Sequence, residues 1–137
     1  MSNIIGIVNY GISGNIHSIK KAIEAAGGQV LVINKTEQFN DVDKLVLPGV
    51  GSFKDAMQEL KNNCFLESLK NNQKPILGIC LGMQILATVG FEYGTTNGLN
   101  SIDAEVKPIF VDAKVPHMGF SNIEVVNTNE ILKGLES

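Results

Sequence analysis

Residues 75–84 read Pro-Ile-Leu-Gly-Ile-Cys-Leu-Gly-Met-Gln. An apolar run over 75–79 leads into Cys80, which stands between Gly78 and Gly82, and the residues after it can continue as a helix through Leu86. A buried strand turning sharply into a helix, with a nucleophile at the apex, is the pattern of a nucleophile elbow with sulfur in place of oxygen. The glycines on either side leave room for a strained turn and for close packing of strand against helix. A helix starting at this point aims its unpaired amides and positive end at Cys80, which should favour the thiolate. The opposing reading makes Cys80 a small buried hydrophobe among apolar neighbours, the commoner fate of a cysteine. The glycine pair is what favours the nucleophile.

Moving outward, Ile4–Val8 is a run of β-branched residues around Gly6, the pattern of a strand buried on both faces of a parallel sheet. Ile16, Ile19, Ile23 and Ala26 then form an apolar helical stripe that ends at Gly27-Gly28, where a glycine can take the left-handed C-terminal cap. Residues 30–33 and 45–47 read as two more buried strands. Phe53, Met57, Leu60 and Cys64 mark a second amphipathic helix, which assigns Cys64 to the core. Strands alternating with helices predict an α/β fold with a parallel sheet, right-handed crossovers, and ligands at the carboxyl ends of the strands. Past Phe91, Gly94, Gly98 and Asn100 predict a loop, and 106–111 and 123–126 are candidate strands.

Composition narrows the function classes. With 44% hydrophobic and 18% charged residues, the 137 residues fit one α/β domain over 1–137. Fourteen acidic against eleven basic residues give a net charge of -3, so there is no electrostatic footprint for nucleic acid or anionic lipid. The longest apolar stretch, 75–91, is interrupted by glycines, Gln84 and Thr88 and falls short of the roughly 20 residues that cross a bilayer. The run at 4–8 meets Asn9 too soon for a signal peptide. Cys64 and Cys80 form no CxxC motif, which argues against a disulfide framework or a zinc site and points to the reducing cytosol. A second turn, Leu47-Pro48-Gly49-Val50-Gly51-Ser52-Phe53, ends one strand and opens a helix. Such a loop offers backbone N–H groups to a negative oxygen, so beside the elbow it is a candidate oxyanion loop.

The elbow, this loop, Asn9-Tyr10-Gly11 with Gly14-Asn15-Ile16, and Lys114-Val115-Pro116-His117-Met118-Gly119-Phe120 follow one another from end to end of the chain. In that order they resemble the class I glutamine amidotransferase family, and within it the glutaminase subunits of imidazole glycerol phosphate synthases. The resemblance implies a flavodoxin-like three-layer sandwich with a mainly parallel sheet, the C-terminal part of the family fold being missing from these residues. It implies an enzyme that takes ammonia from glutamine and passes it to a separate (β/α)8 cyclase subunit in histidine synthesis, with no metal and no cofactor. Carried over, Cys80 is the nucleophile; Gly49, Val50 and Gly51, with the amide of Leu81, form the oxyanion region. Gln84 holds the glutamine substrate, and Glu92 reads its amino group, a carboxylate suiting an ammonium partner.

The same resemblance puts Asn15, His117, Met118 and Phe120 on the face that meets the cyclase, so His117 is assigned to the interface rather than to catalysis. His17 is read as a helix-start or interface residue. Family members carry a His-x-Glu segment near their C-terminus that activates the nucleophile. No such segment occurs among the 137 residues, so these residues alone are expected to be inactive or nearly so. Asn9 stands where aspartate is common, the loop from Tyr10 to Asn15 is one residue longer than usual, and Phe120 replaces a tryptophan. These departures leave open a paralogous ammonia-supplying subunit for surface-sugar modification, or a non-catalytic docking fragment.

Overall fold

The structure, a computed structural model, describes residues 3–127 and 129–135. Four strands, β1 (Ile4–Val8), β2 (Gln29–Ile33), β3 (Lys44–Leu47) and β4 (Ile76–Gly78), form a wholly parallel sheet in the order β2-β1-β3-β4. That is the flavodoxin-like order, and it reverses between β1 and β3, where such folds open a crevice beyond the strand ends. The connections through helix α1 (Ile16–Ala25), from β1 to β2, and through α2 (Phe53–Asn62) and α3 (Leu66–Lys70), from β3 to β4, run in opposite directions from this point. The right-handed crossover rule assigns them to opposite faces of the sheet. The core is built of Val8, Leu45 and Leu47 from the sheet against Phe53, Leu60, Phe65, Leu81 and Ile85.

The caps explain where the helices begin and end. Asn15 Oδ1 accepts from Ser18 N at 3.1 Å to start α1. At its other end Gly28 N and Gly27 N donate back to the Ile23 and Glu24 carbonyls at 2.9 Å, with Gly27 at φ 86°, the left-handed cap expected from sequence.

The second helix departs from the sequence reading. It stops at Asn62, and Cys64 is exposed at φ 63° instead of lying in the core. Cys64 N donates to Lys61 O and Phe65 N to Leu60 O, the paired bonds of a left-handed helix stop, with cysteine where glycine is usual. The turn swings buried Phe65 inward, 5.8 Å from Phe39 by ring centroids, and α3 restarts the chain. The stripe through Cys64 is thus completed by its neighbour.

Further differences follow Cys80. Helix α4 covers only Leu81–Gln84, and β5 (Ala87–Gly90) starts where a longer helix was expected to be ending. With β6 (Thr96–Asn97) and β7 (Ile102–Val106) it makes a second sheet in the order β6-β5-β7. β-branched Thr88 and Val89 suit a strand. The 98–100 turn also claims the backbone, since Gly98 N, Leu99 N and Asn100 N donate to Thr88 O, Ile85 O and Ala87 O. The candidate strand at 106–111 is displaced to β7, and 123–126 forms no strand; Ile109, Phe110, Ile123 and Val126 are exposed.

Candidate active site

Cys80 joins β4 to α4 at φ 56°, ψ −122°, a backbone conformation that side chains with a Cβ rarely occupy. Local bonds hold it there. Gly82 N donates to Ile79 O at 3.0 Å, and Met83 N and Gln84 N donate to the Cys80 carbonyl at 3.0 and 3.2 Å. Both flanking glycines are needed for the space they leave. A Cβ on Gly78 would stand 2.5 Å from Met83 Cα, and one on Gly82 would run into the Leu47 carbonyl, 2.6 Å from its carbon. The strand is therefore pressed against the first turn of the helix, with the thiol exposed at the apex.

The Pro48–Gly51 turn lies directly beside the elbow. Ile79 N donates to Leu47 O at 3.0 Å, and a Cβ on Gly49 would come within 3.1 Å of Gly82 N and Leu81 Cβ. Of the amides assigned to the oxyanion, that of Val50 is taken: it donates to Ile12 O at 3.0 Å, which ties this turn to the loop after β1. The Leu81 amide, first in α4, has no carbonyl one turn back in the helix to bond. Gly51, at φ 103°, has open space around its Cα.

Gln84 and Glu92 come together in one cleft of about 870 Å³, shared with Gly51, Lys107, Lys114 and His117. Gln84 is half-buried one turn beyond Cys80. Glu92 has a task the sequence did not suggest: its Oε2 accepts from Phe53 N at 2.8 Å, so the carboxylate helps cap α2 at its positive end. His117 stands on the cleft wall with Nε2 3.0 Å from Ser121 Oγ. Asn15 serves as the N-cap of α1, while Met118 and Phe120 project almost fully into solvent. His17 is exposed on α1. Among the described residues, no cluster of three or more histidines, cysteines or carboxylates could hold a metal, and no helix is long and apolar enough to cross a membrane.

Sequence reasoning missed Tyr10. Its side chain is fully buried beneath the Pro48–Gly51 turn, and its hydroxyl donates to the Pro48 carbonyl at 2.8 Å. Burial, reinforced by negative charge on Cys80, pushes the phenol pKa upward, so Tyr10 stays protonated and a donor. The available signal was an aromatic residue in a glycine-rich loop at the end of β1, where polar residues are usual.

The family model for class-I glutamine amidotransferases matches residues 7–136. Over 140 residues the chain is 39% identical to the imidazole glycerol phosphate synthase subunit HisH 1 of Campylobacter jejuni, covering 98% of this chain and 69% of that protein. It is 43% identical over 136 residues to the HisH subunit of Archaeoglobus fulgidus, covering 98% of this chain and 67% of the relative. With the HisH subunit of Staphylococcus aureus it shares 42% identity over 121 residues, 88% of this chain and 62% of the other. The chain spans about two thirds of the length of the first two, at 69% and 67%. A parallel sheet of flavodoxin-like order, a cysteine at a glycine-flanked elbow, and sequence matches over nearly the whole length carry one conclusion: the chain belongs to the class I glutamine amidotransferase family of enzymes.

Proposed function

We propose that the chain is the glutaminase part of an imidazole glycerol phosphate synthase, with Cys80 as its nucleophile. The observation that carries this reading is the conformation of Cys80, an exposed thiol held at φ 56° between β4 and the Leu81 amide. In the proposed reaction the Cys80 thiolate adds to the side-chain amide carbon of glutamine. The carbonyl oxygen becomes an oxyanion, met by the Leu81 N–H and the adjoining Gly49–Gly51 turn. Collapse breaks the C–N bond, the nitrogen leaves as ammonia once protonated, and water then cleaves the glutamyl thioester to glutamate. Gln84 and Glu92, which line one cleft, suit the α-carboxylate and α-ammonium ends of the substrate.

Protonating the leaving nitrogen and activating the water need a positioned acid–base group, worth roughly 10²- to 10⁴-fold. Among the described residues neither histidine bonds Cys80: His17 lies on α1, and His117 is engaged with Ser121. We therefore expect residues 1–137 on their own to be alkylated at Cys80 by a glutamine-like electrophile, and to be protected by glutamine, while releasing glutamate little above a Cys80→Ser blank. Labelling at Cys64 alone, or no protection by glutamine, would remove Cys80 from the account. Glutamate release at the rate of a longer relative would instead make His117 or another group the base.

For the partner, we propose a (β/α)8 cyclase docked on the face that includes Asn15, His117, Met118 and Phe120, with ammonia passed to it for histidine synthesis. The exposure of Met118 and Phe120 supports this, since large apolar side chains left in water are the usual anchors of an interface. Burying a phenylalanine is worth about 1.5–3 kcal/mol. Phe120→Ala should accordingly weaken binding to the cyclase subunit by at least about tenfold in a titration, and unchanged affinity would take Phe120 out of the interface.

A further inference from the structure

We infer that Tyr10 is a positioning residue for acyl transfer at Cys80: from beneath, it holds the Pro48–Gly51 turn at the height where that turn can meet an oxyanion. The inference rests on the reading of Cys80 as the nucleophile and goes beyond it by assigning a role to a residue that touches neither thiol nor substrate.

Tyr10 is fastened to the structure at three points. Its amide donates to Ser13 Oγ at 2.9 Å, and the hydroxyl of Ser13, itself buried, donates to Val8 O at 3.1 Å. Its carbonyl accepts from Asn63 Nδ2 at 3.1 Å, which links it to the end of α2. Its hydroxyl then donates to Pro48 O at 2.8 Å. A planar, two-torsion side chain anchored in this way has little freedom, so the Pro48 carbonyl it holds is fixed relative to β1 and α2.

The hydroxyl also lies against Gly49: a Cβ there would collide with it, which is why residue 49 has to be glycine in this packing. The other attachment of the turn is the Val50 N–H bond to Ile12 O, in the same loop after β1. The turn is thus hung from the β1 loop at two points, and of these only the Tyr10 bond is made by a side chain. Because a carbonyl and the amide of the next residue point in opposite directions across a planar peptide, fixing the Pro48 oxygen also fixes the direction of the Gly49 N–H. The burial that raises the phenol pKa keeps it protonated, and so a donor, around neutral pH.

The test compares two reactions of Cys80 that differ in their need for an oxyanion. Displacement of iodide from iodoacetamide forms a C–S bond at a saturated carbon and generates no oxyanion. Acylation by p-nitrophenyl acetate adds the thiolate to a carbonyl and passes through one before p-nitrophenolate departs with the bonding electrons. Both rates are measured in a Cys64→Ser background, because Cys64 is a second exposed thiol, with Cys80→Ser as the blank. Tyr10→Phe should slow acylation by about tenfold, within the range that small misplacements cost, and leave alkylation within about twofold. If Tyr10→Phe does not fold, Ser13→Ala, which removes the hydrogen bond to the Tyr10 amide, should give the same split.

Equal acylation rates in the variant and the parent would overturn the positioning role. A parallel fall in both rates would also overturn it, by showing a merely structural loss. Failure of the parent to acylate above the Cys80→Ser blank would instead sink the reading of Cys80 as nucleophile, and so is distinguishable from failure of this inference.

Discussion

Gly82→Ala should destabilise the fold by about 3 kcal/mol or more, the upper range for overpacking, and should abolish the reactivity of Cys80 in any molecules that still fold. The added Cβ would collide with the Leu47 carbonyl and stand 2.9 Å from Pro48 O. Both obstacles are backbone, so no rotamer change relieves them. The sheet would have to part from α4 between Leu47 and the elbow, where Ile79 N donates to Leu47 O. Gly27→Ala makes the contrast. Nothing lies within 4 Å of its added Cβ, and the penalty is that of a left-handed residue alone, about 1–2 kcal/mol. Urea midpoints of the two variants measure the difference. A Gly82→Ala midpoint at or above that of Gly27→Ala would mean that β3 and α4 are less tightly apposed than described.

The second large effect concerns the apex. Cys80→Gly should make the protein more stable while removing its chemistry. Holding a side-chain-bearing residue in a sparsely populated conformation costs roughly 1–3 kcal/mol, and glycine relieves that at an entropic loss of about 0.5–1 kcal/mol. Because the thiol is exposed, little packing is lost with it. The net expectation is a gain of about 1 kcal/mol, read as a higher urea midpoint. Cys80-specific labelling by a glutamine-like electrophile should fall to the level of the Cys80→Ser blank. Cys80→Ser keeps the Cβ and the strain, so it should lose the reactivity without the gain in stability. A Cys80→Gly protein less stable than the parent would show that the turn is not strained.

Much of this architecture was legible because parallel strands buried on both faces leave a plain trace in sequence. The strand Ile4–Val8 was read with its observed bounds, and 30–33 and 45–47 to within a residue. The Gly27 cap was legible for a related reason, since only glycine takes a positive φ without penalty. Cys80 could be singled out because both of its glycines answer steric demands that any elbow makes. Where the reading failed, a longer-range contact had prevailed over a local pattern. Cys64 fitted the apolar stripe of α2, but Phe65 fills that part of the core better, and the chain turns at Cys64 to deliver it. The helix expected through Leu86 gave way to β5 because the 98–100 turn and β7 offered its backbone partners.

What the sequence by itself determined is therefore the parallel sheet, the elbow and the candidacy of Cys80, because these depend on residue type and short spacing alone. The arrangement around that cysteine was decided only by the tertiary structure. The engagement of the Val50 amide by Ile12, the capping of α2 by Glu92, the meeting of Gln84 with Glu92 in one cleft, and the support of Pro48 by Tyr10 each join residues from separate elements. The physical reason is that a hydrogen bond across such separations leaves no periodicity in the chain, and its partners become neighbours only once burial of the core has brought the strand ends together.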